Sequence, residues 1–422
     1  MPAVIGGGLG DIEEVLAAGR ALGAVDRRIR LFRVPGRPIP RAVDGPWDWP
    51  THRRVDRLDP RAARALTISP MWGVSAAPAR PEPLGRAGPW AAESEAIERA
   101  YGPESVVHVS LEEFARTLTS RQEESERRRE GGLSMGPSGG AATRAATSEA
   151  RATFHRLYRK FRAFDRANVL HLFQTFVPST AFASEYPEAV QAGPLWPHRF
   201  RPGSRRGPRS PGVRHQRWVW YASPASSEGL LRTTARAWPS DRSPPAIDLR
   251  SPRPLPVGRW AGRWVLRPPE PPAAWARRFS SADLRVVTGS RTLLEALELG
   301  GPFLYFNGLL GRGGRARRHR PEKIRSLLAA GRLGGIDPSL LHDLDAFSRG
   351  REVPRIVRTA CADGRWASRF PDRWPIVGFR TPFQDAARLL GAIARRWTAS
   401  RDGATELVAA VRREGRPERR AG

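Results

Sequence analysis

Cysteine and lysine are almost absent from this chain of 422 residues, and long apolar runs are absent altogether. Cys361 is the only cysteine, which excludes a disulfide within the chain and a cysteine-rich metal site. A reducing compartment, the cytoplasm, is therefore the expected setting. No apolar run approaches the roughly 18 residues that a membrane-spanning helix needs, so no transmembrane helix is expected.

Lysine is scarce although the formal net charge is +29, since only Lys160 and Lys323 among the 71 basic residues are lysines. This imbalance is typical of codon bias in a GC-rich genome. The arginines are scattered and are not grouped with the aromatic residues that stack on bases, so we expect no nucleic-acid partner. The charge suits anionic partners, such as nucleotide diphosphates, and leaves open a peripheral contact with the inner face of the membrane.

The first 33 residues follow the pattern of a βαβ unit. An apolar run at 3–5 predicts a strand, a glycine turn occupies 6–10, an amphipathic helix follows, and 29–32 predict a second strand. Units of this kind build parallel sheets with right-handed crossovers. We therefore expect an α/β fold.

The glycine turn of this unit lacks the features of common nucleotide fingerprints. Gly6 and Gly8 fit a dinucleotide motif, but Asp11 stands where its third glycine belongs, and the next strand ends at Arg33 instead of an acidic residue. No Walker A sequence is present. NAD binding and a P-loop ATPase are thus disfavoured. Asp11 is placed to cap the helix or, in a cleft, to act as a base.

The rest of the chain repeats the strand and helix rhythm with irregular interruptions. Strands are expected at 66–69, 106–109, 169–173, 218–222 and 265–267, and helices at 111–118 after Ser110, 153–166, 322–330 and 383–397. The charged and Gly/Ser-rich residues 121–150 predict a flexible insertion. A linker is expected at 197–211 and a loop at 239–258.

The clearest segment lies at 284–306. Its pattern predicts a strand at 284–287, the turn Thr288-Gly289-Ser290, a helix over 291–299 and a further strand at 302–306. Glycine and small hydroxyl residues at a helix N-terminus suit a pyrophosphate group. Alternatively, Thr292 and Glu295 are ordinary residues of the first helical turns.

This segment, residues 282–302, resembles the donor site of GT-B glycosyltransferases. The likeness is greatest to the peptidoglycan N-acetylglucosaminyltransferase and to plant-type UDP-glycosyltransferases. In that group a strand ends in a Gly/Ser turn, and the next helix carries T-x-x-E, here Thr292 and Glu295. The resemblance implies that Gly289, Ser290, Arg291 and Thr292 hold a nucleotide diphosphate. It also implies that Glu295 or Glu322 holds the ribose hydroxyls.

The N-terminal loop Gly7-Gly8-Leu9-Gly10-Asp11 is similar to the glycine loop of glycogen synthases and ADP-heptose transferases. The two resemblances together imply a GT-B fold, in which two Rossmann-like domains with parallel sheets face each other across a cleft. An N-terminal acceptor-side domain is expected at 1–205, a nucleotide-sugar domain at 206–380, and a C-terminal helix and tail at 381–422. The loop would face the acceptor, with Asp11 as base.

The sequence departs from the plant-type pattern after the last strand, where that group has an Asp/Glu-Gln pair that holds the sugar. A basic loop stands there instead, and Asn307, His319, Arg320 and Glu322 are the candidate replacements. Cations near a diphosphate suit GT-B enzymes, which commonly work without a metal. His171, in a presumed strand, is interpreted as a core residue. The Asp343-Leu344-Asp345 run is interpreted as a chance match to a metal motif.

The resemblance implies a glycosyltransferase that uses a nucleotide diphosphate sugar and neither a cofactor nor a metal. Its acceptor would be a glycan, a lipid-linked molecule or a small molecule. Two alternatives stay open. One is a non-hydrolysing nucleotide-sugar 2-epimerase, and the other is a non-catalytic binding protein with the same fold.

Overall fold

The computed structural model describes part of the chain, and the described ranges are 17–18, 21–22, 64–70, 97–112, 166–178, 189–196, 217–221, 233–238, 246–250, 264–267, 272–306, 309–310, 316–317, 322–362, 364–380 and 382–416. These residues form two units. The first comprises the described residues up to Leu195 together with those from Gly378 onward. The second runs from Trp196 to Val377.

Eleven strands and eight labelled helices lie within the described ranges. The strands are β1 (Ala65–Pro70), β2 (Val106–Glu112), β3 (Val169–Gln174), β4 (Ala189–Ala192), β5 (Arg217–Tyr221), β6 (Ala246–Arg250), β7 (Trp264–Arg267), β8 (Leu284–Val287), β9 (Phe303–Tyr305), β10 (Leu309–Leu310) and β11 (Ala316–Arg317). The helices are α1 (Pro272–Ser280), α2 (Ser290–Leu299), α3 (Glu322–Leu333), α4 (Pro338–Ser348), α5 (Val353–Ala362), α6 (Gly364–Ser368), α7 (Ala386–Ala399) and α8 (Ala404–Glu414).

The first unit contains a parallel sheet in the order β1-β2-β3-β4. Its strands are rich in Val and Leu, and β3 and β4 are buried along their whole length. Continuous burial of this kind is typical of parallel strands that are covered on both faces. The expected strands at 66–69, 106–109 and 169–173 are therefore confirmed.

The C-terminal helices α7 and α8 belong to the core of this first unit. The apolar residues of α7, among them Leu390 and Trp397, pack in one cluster with Val109 of β2 and Leu172 of β3. The N-cap residue of α8, Gly403, has no side chain to cap the helix, and Thr405 donates from its backbone N–H and its hydroxyl to the Glu104 carboxylate. Amides at a helix N-terminus favour such an anionic partner.

Arginine side chains make further bonds between this C-terminal segment and the sheet. Arg64, just before β1, donates to the carbonyl oxygens of Trp397 and Ser400 at the end of α7, at 2.9 Å each. Arg412 of α8 donates to the carbonyl oxygen of Val169. Cations at a helix C-terminus satisfy carbonyl groups that have no intrahelical donor. The residues after 378 are thus integral to the first unit.

The expected helix at 111–118 is wrong at its start, because Leu111 and Glu112 continue β2. Leu111 pairs with Pro70 on one side and with Leu172 on the other, and it is fully buried. Ser110 therefore lies within a strand and caps no helix. Residues 113–118 lie outside the described residues, as do 153–165 of the expected helix at 153–166 and the insertion at 121–150.

The second unit contains a five-stranded parallel sheet in the order β7-β6-β5-β8-β9. The chain moves outward from β5 to β7, returns through α1 to the other side of β5, and continues through β8 to β9. The predicted strand, turn, helix and strand at 284–306 are confirmed as β8, α2 and β9. Parallel sheets with intervening helices confirm the α/β class.

The loop expected at 239–258 is wrong in its centre, where β6 occupies Ala246–Arg250. This strand pairs with β5 on one side and with β7 on the other. Its short alternating sequence gives a weak local signal, and pairing on both sides determines its conformation. The proline-rich stretch after β7 also begins a helix, since Pro272 stands at the first position of α1, where a missing N–H costs nothing.

The observed unit boundaries differ from those expected at 205 and 380. The described residues change units between Leu195 and Trp196 and again between Val377 and Gly378. The segment expected as a separate helix and tail at 381–422 contributes two helices to the first unit. Within the described part of the chain, no helix has both the length and the apolar character that a membrane crossing requires.

Replacing Leu390 in α7 by alanine tests whether the C-terminal segment completes the first unit. Leu390 is fully buried, so we expect Leu390→Ala to lower the free energy of unfolding by about 2–5 kcal/mol. The exposed neighbour Arg388 provides the control, and Arg388→Ala should change this free energy by less than about 0.5 kcal/mol. Urea unfolding followed by circular dichroism measures both. Equal stability of the two variants would contradict the assignment.

Candidate functional site

The candidate site lies where the strand order of the second unit reverses, between β5 and β8. From β5 the chain continues to the neighbouring strand β6, toward one edge of the sheet. From β8 it continues to the neighbouring strand β9, toward the opposite edge. In open parallel sheets the carboxyl ends of two such strands leave a crevice, and ligands bind there. These ends are Tyr221 of β5 and Val287 of β8.

The turn between β8 and α2 is anchored to the end of β5. The Thr288 hydroxyl donates to the carbonyl oxygen of Tyr221 at 3.1 Å. One turn into the helix, the Thr292 hydroxyl donates to the carbonyl oxygen of Thr288 at 2.6 Å. Both hydroxyl groups therefore donate to backbone carbonyl oxygens, one at the end of β5 and one within the turn. Thr292, which the sequence suggested as a diphosphate ligand, is mostly buried and helps to set the path of the chain.

Gly289, the N-cap residue of α2, puts no side chain in front of the N-terminus of this helix. Its φ is 84° and its ψ is 163°, a conformation that L side chains rarely adopt, and among the described residues no heavy atom beyond its two chain neighbours lies within 4 Å of the position that a Cβ would take. Gly289 is exposed, and as the N-cap residue it supplies no side chain to the first amides of α2. The N–H groups of the first helical turn have no intrahelical acceptor, so this end of α2 favours an anion.

A buried ion pair lies within the first two turns of α2. The Nε of Arg291 is 3.8 Å from Oε1 of Glu295, and the two side chains are 7% and 2% exposed. The indole N–H of Trp275 in α1 donates to Oε2 of Glu295 at 3.4 Å. Glu295 therefore faces the interior of the second unit. The role in holding ribose hydroxyls, which the resemblance implies for Glu295 or Glu322, stays a prediction.

Arg285 fixes α1 and α2 against β8, and the sequence interpretation gave it no role. Its guanidinium donates to the carbonyl oxygens of Phe279 and Ser280 at the end of α1, and to that of Gly300 after α2, at 2.8, 3.3 and 3.0 Å. Burial lowers the pKa of Arg285 to about 10, which still leaves it charged at neutral pH. An arginine inside an apolar strand was the sequence signal for such a contact.

Most other residues proposed from the sequence lie outside the described residues. Glu322 begins α3, but its side chain is not among those described, and neither is that of Ser290. Outside the described ranges lie Gly7, Gly8, Leu9, Gly10, Asp11, Asn307, His319 and Arg320. Of the predicted site residues, the structure therefore brings together the backbone of 288–292 and the side chains of Arg291, Thr292 and Glu295.

The Asp343-Leu344-Asp345 run lies in α4, as its leucine-rich context indicated. Asp343 is buried, and it accepts hydrogen bonds from Arg355 at 2.5 Å and from the Trp366 indole at 3.1 Å. These bonds tie α4 to α5 and α6, which is a structural role. Among the residues that the structure describes, no three His, Cys, Asp or Glu side chains are grouped as a metal ion would require.

Comparison with known proteins gives little to set beside this geometry. No protein-family model and no curated protein matches the sequence. Among solved structures, the chain is similar to one titled as the crystal structure analysis of the glycotransferase of kitacinnamycin, at 12% identity and a TM-score of 0.34. The likeness covers 79% of this chain and 76% of that one. At this score the likeness carries no argument about function.

A second cluster of titratable groups lies in the first unit, around His108 of β2. Its Nε2 is 3.0 Å from Oε1 of Glu98, and its Nδ1 is 2.6 Å from the Thr67 hydroxyl on the neighbouring strand. A carboxylate only accepts, so Nε2 carries the proton and Nδ1 accepts from Thr67. Asn168 and Arg166 also donate to the Glu98 carboxylate.

This cluster has the polar contacts of a nucleophile, base and acid, but its place in the sheet indicates a structural role. Asn168 immediately precedes β3, and the N–H of His108 donates to its carbonyl oxygen. The cluster thus lies toward the amino ends of the parallel strands, opposite the edge at which such sheets bind ligands. His171 of β3 is buried, as a core residue would be.

The His108 cluster predicts a component of stability that depends on pH. Burial, opposed by Glu98, lowers the pKa of His108 below its ordinary value of 6.5. The unfolded chain therefore binds more protons than the folded one just below pH 6.5, and stability is lost as the pH falls. We expect wild-type unfolding free energy to decrease between about pH 7 and pH 5. His108→Gln should show a shallower decrease.

Urea titrations at a series of pH values measure this effect. The glutamine side chain of the variant keeps a donor for Glu98 but does not titrate. An identical pH dependence in the wild type and the variant would show that His108 is not the group responsible.

Proposed function

We propose that the protein transfers a sugar from a nucleotide diphosphate sugar to an acceptor that is still to be identified. One observation carries the proposal. An exposed glycine turn leads into a helix without a side-chain cap, at the point where the strand order of a parallel sheet reverses. This combination suits a phosphate-bearing ligand, because backbone N–H groups and the helix dipole face the position that the open glycine leaves accessible.

The chemistry requires stabilisation of negative charge on the leaving group. The acceptor oxygen forms a bond to the anomeric carbon while the bond from that carbon to the diphosphate oxygen breaks. The electron pair leaves with the nucleoside diphosphate, and the acceptor proton passes to a base. We propose that the N-terminus of α2 stabilises the departing diphosphate without a metal ion. Asp11 is the proposed base.

Other proposed roles extend from the sequence resemblance. The backbone of residues 289–292 holds the diphosphate, and the side chain of Ser290 contributes a hydroxyl. Glu322, Asn307, His319 and Arg320 are proposed contacts of the ribose and the sugar. The loop Gly7-Gly8-Leu9-Gly10 is the proposed acceptor side. The GT-B arrangement of two domains across a cleft stays a prediction, as do the cytoplasmic location and peripheral membrane contact.

Calorimetric titration with UDP, ADP and GDP, with and without EDTA, tests the diphosphate site. We expect one of the three to bind, with an affinity that EDTA leaves unchanged. Gly289→Ala should weaken binding at least about tenfold, because a Cβ would occupy the approach to the helix. Gly102→Ala is the matched control, since Gly102 has a φ of 83° and a ψ of 142°, close to those of Gly289, and has open space around its Cβ position.

Both alanine variants place a side chain in a backbone region that favours glycine, at a cost of about 1–3 kcal/mol each, so both should lose stability while only Gly289→Ala loses affinity. An equal loss of affinity in both variants would refute the site. Failure of all three nucleotides to bind at millimolar concentration would refute the function. Transfer is measured as nucleoside diphosphate release from the matching nucleotide sugar. Release that starts only when an acceptor alcohol is added separates transfer from epimerisation and from simple binding.

A further inference from the structure

The ion pair between Arg291 and Glu295 lies within the first two turns of α2, the helix whose N-terminus is the proposed diphosphate site. Arg291 is the second residue of α2, and Glu295 lies one turn further along the same helix. Both side chains are almost completely buried, so their interaction is screened less than that of a surface pair. Arg291 adds positive charge to a helix end that is already positive, and Glu295 offsets that charge.

Trp275 holds the carboxylate in this position. Its indole N–H donates to Oε2 of Glu295, while Oε1 is the oxygen nearer to Arg291. Trp275 also stacks on Phe279, with ring centroids 5.0 Å apart, and it packs edge-on against Tyr221 at the end of β5. The carboxylate is therefore fixed from α1, a different element from the one that carries Arg291. A held carboxylate imposes a constant counter-charge on the site.

We propose that Glu295 is a positioning residue that lowers the affinity of this site for pyrophosphate-bearing ligands by neutralising Arg291. The inference rests on the proposed function, and it adds a way in which release of the nucleoside diphosphate product is controlled. A nucleoside diphosphate carries more negative charge than the nucleotide sugar from which it is formed. A site with the full charge of both Arg291 and the helix N-terminus would bind that product most tightly, and slow release of product limits turnover in many enzymes.

Four variants test the proposal. Glu295→Gln removes the negative charge but keeps an acceptor for the Trp275 indole. Arg291→Met removes the positive charge, and the double variant Arg291→Met/Glu295→Leu replaces the pair by apolar side chains of similar size, which buried pairs often tolerate. Glu298→Gln is the control, since it makes the same charge change on α2 about 4.5 Å further from its N-terminus. The probes are UDP and inorganic pyrophosphate, titrated at several salt concentrations.

We expect Glu295→Gln to bind both probes about threefold to tenfold more tightly than the wild type, with a steeper salt dependence. Arg291→Met should bind both more weakly, and the double variant should lie within about threefold of the wild type. Glu298→Gln should stay within about twofold. Thermal unfolding of each variant shows that it is folded, and affinities are compared at a temperature where all four are folded.

Four results would overturn the proposal, and they point to different causes. Weaker binding of UDP by Glu295→Gln, with unchanged binding of pyrophosphate, would assign Glu295 to the ribose and keep the proposed function. Weaker or unchanged binding of both probes by this variant would leave the pair a purely structural role. An equal gain of affinity in Glu298→Gln would show that the effect comes from the net charge of the protein alone. If the wild type binds neither pyrophosphate nor any of UDP, ADP and GDP, the proposed function fails as well.

Discussion

The parallel pairing of β5 with β8 is the constraint on which the candidate site depends. It brings Trp218 opposite Leu284 and Trp220 opposite Val286, so the two strands end side by side. Only then can the Thr288 hydroxyl reach the carbonyl oxygen of Tyr221 and hold the turn that opens α2. Gly289, at a positive φ, and the uncapped N-terminus of α2 come directly after this anchored residue. Without the pairing, the same residues would form an ordinary loop before a helix.

Buried polar contacts join β8 to α1 and α2, and α1 to α2. Arg285 binds the carbonyl ends of α1 and α2 with one guanidinium, and Trp275 joins the two helices through Glu295. Each contact satisfies groups that would be costly to bury alone. The same use of charged side chains at helix ends recurs in the first unit, where Arg64 and Glu104 bind the ends of α7 and α8. Arginine in this chain thus serves internal structure as well as surface charge.

The sequence alone predicts elements whose signals are local. The strand, turn and helix around Gly289 were predictable because apolar runs, a glycine turn and a glycine stop follow each other in order. β6 was missed because its five residues acquire their conformation by pairing on both sides. The helix expected from Leu111 was wrong for the same reason, since pairing with Pro70 and Leu172 outweighs a helical pattern.

The inward orientation of Glu295 was also beyond sequence reasoning. A T-x-x-E pattern identifies the helix, but the direction of the carboxylate depends on Trp275, which comes from another helix packed on the same sheet. Arg285 makes contacts that depend on the packing of two helix ends. The assignment of the C-terminal helices to the first unit likewise depends on tertiary contacts between distant parts of the chain.

Hydrogen–deuterium exchange with and without UDP, ADP or GDP tests the central claim most directly. The account predicts that a bound nucleoside diphosphate slows exchange of the amides at the start of α2, from Ser290 to Thr292, because their N–H groups bond to the phosphate oxygens. Unchanged exchange in this stretch, with bound nucleotide slowing exchange elsewhere, would contradict the account.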